Sequence, residues 1–171
     1  MVFYNHHKTT KMKLLDSIFE EITIPGFKYK LGAKNGDKNI INFSGIAHSV
    51  RTRIHPSILA QSTGVSASAK IKTLKIIQGS VLPEVFKLTD VDYEKIYLTQ
   101  HQVLDCVLDN WDVIRYKVNS LYFVTKIKDI GYCLFCFIVS DQKNKLLIGI
   151  LPIEDANSEI KDSTAMLVIS Q

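Results

Sequence analysis

Leu121-Tyr-Phe-Val-Thr-Lys-Ile127, Tyr132-Cys-Leu-Phe-Cys-Phe-Ile-Val139 and Leu146-Leu-Ile-Gly-Ile-Leu151 follow one another with only short polar stretches between them, around Lys128-Asp129 and Asp141 to Asn144. Runs of six to eight residues rich in aromatic and β-branched side chains, joined by loops this short, predict an antiparallel meander. The middle run is almost wholly apolar, as expected of a strand covered on both sides. In the first run, alternation sends Tyr122, Val124, Lys126 and Lys128 to one face and Phe123, Thr125 and Ile127 to the other. Met166 to Ile169 supplies one more strand.

Working backwards, Ile96, Val103, Leu104, Val107, Leu108 and Trp111 fall at helical offsets after a cap at Asp90 or Asp92. That spacing predicts one amphipathic helix of about five turns lying on the meander. Upstream, Leu14, Leu15, Ile18, Phe19 and Ile22 have helical spacing until Pro25-Gly26, and residues 27 to 43 read as a β-hairpin about Asn35-Gly36. Ser44 caps a predicted helix with Ile46, Val50 and Ile54 along one side, and Pro56 ends it or opens a short helix through Ile58 and Leu59. Gln61 to Ala69, rich in small hydroxylated residues, reads as a loop or weak helix. Residues 1–13 have no period and read as a flexible lead-in. The expectation is therefore a single α+β domain over residues 14–171, an antiparallel meander packed on a long amphipathic helix, with an N-terminal helix and β-hairpin.

Composition supports a globular domain. The chain has 171 residues, 46% hydrophobic and 22% charged, which suits one core and excludes disorder, collagen and coiled coil. No apolar run reaches the ~18 to 20 residues of a membrane span, and no signal-peptide core is present. Three cysteines are too few for a disulfide framework, so a soluble, unprocessed, cytoplasmic protein is expected. Cys133-x-x-Cys136 sits in a strand, where positions three apart face opposite ways, and with Cys106 it reads as buried thiols. Residues 1–89 carry 13 Lys and Arg against 5 Asp and Glu, whereas residues 90–171 carry 8 against 12. A basic half suits a polyanion or simply a solvated lysine face.

Two of the three arginines, Arg51 and Arg53, lie between His48 and His55. On a helix, offsets 0, 3 and 7 gather His48, Arg51 and His55 on one face. Two imidazoles beside a guanidinium suit metal-free RNA cleavage: one imidazole deprotonates the ribose 2′-hydroxyl, the other protonates the leaving oxygen, and the guanidinium holds the charged phosphate. The same residues equally suit a solvated helix face. Arg53, with Tyr122, Lys126 and Lys128 on the first strand of the meander, would add phosphate contacts and base stacking, or form an ordinary amphipathic edge. Gln61 to Ile77 partly fits a helix-turn-helix about Gly64, although Lys70 or Ile71 and Thr73 occupy positions that should pack on the first helix. The common motifs of serine hydrolases, P-loop NTPases, dinucleotide enzymes and zincins are absent. No cofactor or metal is indicated.

Three stretches taken in order resemble the barnase, EndoU, colicin and RelE group of toxin-type ribonucleases (BECR), particularly its phage and mobile-element branches. They are His48 to Pro56, a segment with a His, basic residues and a closing His-Pro; Val103 to Arg115, a helix followed by Asn110-x-Asp112-x-Ile114; and the meander from Ser120 to Leu151. The resemblance covers roughly residues 44 to 152. It implies a metal-independent RNA-cleaving or RNA-binding, toxin-like domain.

Three functions stay open: an RNA-directed nuclease using His48, Arg51 and His55; a noncatalytic protein-interaction or immunity-type module with a protein partner or inhibitor; and a helix-turn-helix regulator. A nuclease should gather its His and Arg side chains in one cleft with the Tyr122 face, and an interaction module should expose an apolar patch there. A regulator should cross two helices near Gly64. No membrane partner is expected, and the sequence does not indicate an oligomeric state.

Overall fold

The computed structural model describes residues 19–33, 38–61, 67–77, 79–161 and 164–171. The predicted lead-in, most of the N-terminal helix, the Asn35-Gly36 turn and Gly64 lie outside these. In chain order the elements are β1 (Phe19–Ile22), β2 (Lys30–Leu31), β3 (Ala47–Thr52), α1 (Pro56–Leu59), β4 (Ala69–Ile76), α2 (Leu82–Thr89), α3 (Tyr93–Ile96), α4 (Gln100–Asp109), α5 (Trp111–Lys117), β5 (Ser120–Ile127), β6 (Gly131–Val139), β7 (Lys145–Pro152), a 3-10 turn (Ile153–Asp155) and β8 (Ala165–Ser170). The fold is mixed α+β with a mostly antiparallel sheet. No described helix is long and apolar enough to cross a membrane.

Strand order is β1-β4-β8-β5-β6-β7-β3, with β2 also pairing with β4. The expected meander β5-β6-β7 is present, in the register Tyr122↔Cys136↔Gly149. The last strand departs from expectation in part, since β8 runs parallel to β5 and antiparallel to β4. The sheet is covered on both faces. On the first face, Leu121, Phe123, Phe135 and Phe137 pack with Val103, Leu104 and Val107 of α4. On the second, Val124, Leu134, Leu167 and Ile169 pack with Leu82, Val85 and Phe86 of α2 and with Ile153 and Ile160. This cover does not reach the far rows of β6, β7 and β3, where Ile138 and Leu147 remain exposed.

Four expectations are corrected. The five-turn helix is three helices: Thr99 starts α4 with a capping box, its side chain accepting from the Gln102 N–H while the Gln102 side chain accepts from the Thr99 N–H. This reciprocal cap starts a helix afresh. Phe19–Ile22 is a strand paired with Ile76 to Thr73 rather than the end of a helix. The hairpin does not form among the described residues, because Tyr29 and the short β2 bond to β4 instead. The backbone of residues 38–40 is met largely by side chains: the Ile40 N–H donates to Gln100 Oε1 and the Lys38 N–H to His101 Nε2. Finally, Ala47–Thr52 is a strand parallel to β7, not a helix, and Ala69–Ile76 is a strand where a helix-turn-helix would place its second helix. Pro56 does open a short helix, with His55 as its N-cap.

Candidate functional site

Because Ala47–Thr52 is a strand, the predicted face of His48, Arg51 and His55 does not assemble. Side chains alternate, so His48, Val50 and Thr52 share the first face with Ile148 and Ile150, while Ala47, Ser49 and Arg51 stand on the second. The His48 ring stacks on Phe43 at 4.1 Å, and its Nδ1–H donates to the Ile46 carbonyl at 2.9 Å. His55 lies past the strand, its Nδ1 accepting the Ser57 N–H at 3.2 Å. Both imidazoles are engaged by neighbours close in sequence, and Arg51 is on the other side of the sheet from His48.

Arg51 does share a face with Tyr122. The pairings Arg51↔Gly149, Gly149↔Cys136 and Cys136↔Tyr122 lay these residues in one row across four strands. Three strand spacings put Arg51 and Tyr122 about 14 Å apart at the backbone. Tyr122 lines a separate small hollow of about 180 Å³ with Leu82, Cys136, Leu151 and Ile160. Lys126 is on the same face but tied down: its ammonium donates to Glu94 at 2.5 Å and lies 5.4 Å over the Tyr132 ring. The Lys126 ammonium and the Tyr132 hydroxyl hold the Glu94 carboxyl below the usual range, while the bond to Glu94 raises Lys126. Lys128, just past the end of β5, is exposed.

Arg51 and Arg53 border a cleft of about 650 Å³ with Gly149, Leu151, Pro152, Asp155 and Asn157. Both arginines are exposed, and among the described residues neither makes an ion pair. The third arginine, Arg115, pairs with Asp112 at 2.8 Å and lies over Tyr116. At Gly149 the space above the backbone is open, since a Cβ there would meet only Cys136 Cβ, at 3.9 Å. In the next row, Ser49, Leu147 and Ile138 are paired in line, with Leu147 36% and Ile138 44% exposed. The open end of the second face is thus an aliphatic pair beside two arginines. Sequence spacing does not reveal Ile138, Leu147 or Gly149, because strand register alone brings them beside Arg51.

The thiols behave as the strand reading expects. None of the three cysteines is in a disulfide, and burial pushes Cys106 up to about 12 and Cys133 up to about 11. Cys133 faces the first-face core and Cys136 the half-open second face. An alkylating reagent at mildly alkaline pH should therefore label Cys136 first in the native protein, leaving Cys106 and Cys133 protected until unfolding. Peptide mass mapping checks this, and equal labelling of Cys133 and Cys136 would contradict the register. Among the described residues no three His, Cys, Asp or Glu side chains gather as metal ligands would. No protein-family model, curated protein or solved structure matches the chain.

Proposed function

We propose that this chain is a noncatalytic protein-interaction module working through the open second face of β6, β7 and β3. The observation that carries this reading is the cross-strand pair Ile138 and Leu147, both exposed on a sheet face whose other end is packed by α2. Large aliphatic side chains placed side by side in water favour a partner that removes them from it. Arg51, Arg53 and Lys145 rim the patch, the mixture of apolar centre and charged border usual at transient interfaces. The competing ribonuclease reading draws support from the resemblance to the BECR group and from the basic N-terminal half. It lacks a shared cleft for its general acid, general base and phosphate-binding residues.

A photoreactive amino acid placed at Leu147 tests this in the cells that make the protein. The expected product is a discrete protein adduct, unaffected by ribonuclease and lost when Ile138→Asp is added. If the adduct instead disappears with ribonuclease, and purified protein cleaves RNA in a manner abolished by His48→Ala or His55→Ala, the nuclease reading replaces this one.

A further inference from the structure

Resting on that reading, we propose the kind of partner and its mode of docking: an extended acidic segment that adds as a strand to the free edge of β3, its alternate carboxylates meeting Arg51 and Arg53. β3 ends the strand order and, among the described residues, pairs with β7 alone. Among the described residues its backbone makes no hydrogen bond with any segment other than β7. Six residues of such an edge offer unpaired N–H and C=O groups over about 20 Å, enough to template another strand.

The side chains define what that strand carries. Arg51, in β3, and Arg53, in the bend that follows it, line the same cleft, so acids at alternate positions of an extended partner, about 7 Å apart, lie within reach of the two long side chains. A carboxylate at each of two alternate partner positions meets one guanidinium, whose planar fork donates two parallel hydrogen bonds to it. On the inner side of Arg51, Gly149 presents no side chain, so the cleft between Arg51 and Cys136 stays open. Among the described residues lining the cleft, Asp155 is the single carboxylate against two arginines. Towards the other end of β3, Ala47 and Ser49 are small and leave a step down to Leu147. A bulky apolar side chain of the partner fits over that step, so the expected segment has two acids at one end of its inward face and an apolar residue at the other. A second copy pairing through its own β3, Ala47–Thr52, brings no carboxylate to these arginines and is the poorer occupant.

Charged residues on edge strands also serve as guards against unwanted pairing, and the two roles give different results. A fluorescent strand-length peptide alternating glutamate with threonine and ending in a phenylalanine on the same face is the probe, followed by anisotropy against the whole chain. Expected is saturable binding that weakens as salt is raised, and that falls about tenfold or more in Arg51→Glu/Arg53→Glu. Lys28→Glu/Lys87→Glu, with the same change in net charge away from the edge, should bind as the parent does. Methylating alternate backbone nitrogens of the peptide on its pairing edge should abolish binding, which a purely electrostatic contact would survive. The proposal is overturned if the peptide does not bind, if the arginine reversal leaves binding intact, or if the methylated peptide binds equally well. It is also overturned if Arg51→Ser/Arg53→Ser self-associates while the parent ignores the peptide, which makes the arginines guards. A Leu147 adduct that persists while the peptide fails leaves the protein-interaction reading standing and removes only this mode of docking. Peptide binding without any protein adduct does the reverse.

Discussion

Phe123→Ala should cost about 3 to 5 kcal/mol in urea denaturation, with the slope of the transition unchanged. Phe123 is fully buried, and its ring meets Phe137 edge-on at 5.4 Å in the cluster that also holds Leu104 and Val107 of α4. The cost is at the high end for a core truncation because the site cannot collapse. β5 is hydrogen-bonded to β6 on one side and β8 on the other, so its backbone cannot move in to fill the space. The surrounding side chains stand on strands and a helix fixed in the same way. A domain of this size has about 5 to 15 kcal/mol in total, so the variant should lie near its unfolding transition at physiological temperature. Phe123→Leu, which retains most of the volume, should cost far less. A loss below about 1 kcal/mol for the alanine variant would mean that α4 does not close over this part of the sheet.

That packing was legible because two different periods agreed. The meander shows alternation or solid apolar runs between short loops, and Val103, Leu104 and Val107 keep a helical stripe that meets it. The break before Thr99 has its own signature: the positions three and four residues after Ile96, where the stripe would continue, are the polar Thr99 and Gln100, and Thr99-x-x-Gln102 is a capping-box pattern. The spacing in β3 fits a helix as well as a strand for a definite physical reason. Ile46, Val50 and Ile54 recur every four residues, and four is both about one helical turn and an even number, so the spacing places them on one face of either element. The β-branched content of the segment was the clue that favoured a strand. The ambiguity extends to chemistry, because offsets of three and seven share a helix face but are odd on a strand. The row from Arg51 to Tyr122 could not be read from local spacing. It depends on how four strands, distant in sequence, are registered against one another.

The failed hairpin carries the second large effect. Lys38 to Phe43 is not paired as a strand because side chains at the start of α4 satisfy its backbone. Gln100 accepts from Ile40 and donates to the Leu59 carbonyl, His101 accepts from Lys38, and Ile40 and Phe43 are buried as apolar anchors. The charged member of this clamp is Asp105, 1% exposed, whose Oδ1 accepts from the Lys38 ammonium at 2.5 Å, with Lys38 itself 28% exposed. Removing a cation from a buried carboxylate costs more than the pair contributes, since the remaining charge keeps its desolvation penalty and loses the compensation that cation supplied. Lys38→Met should therefore lower stability by about 3 to 5 kcal/mol. Lys38→Met/Asp105→Leu, which removes both charges and keeps apolar volume, should recover most of that loss. The double-mutant cycle in urea separates a paired carboxylate from a merely packed helix face. Additive losses in the two single variants would show that Lys38 and Asp105 act independently and that the clamp is held by Gln100 and His101 alone. Strong coupling would show that a buried ion pair, together with those side chains, holds the segment leading into β3 and with it the strand bearing Arg51.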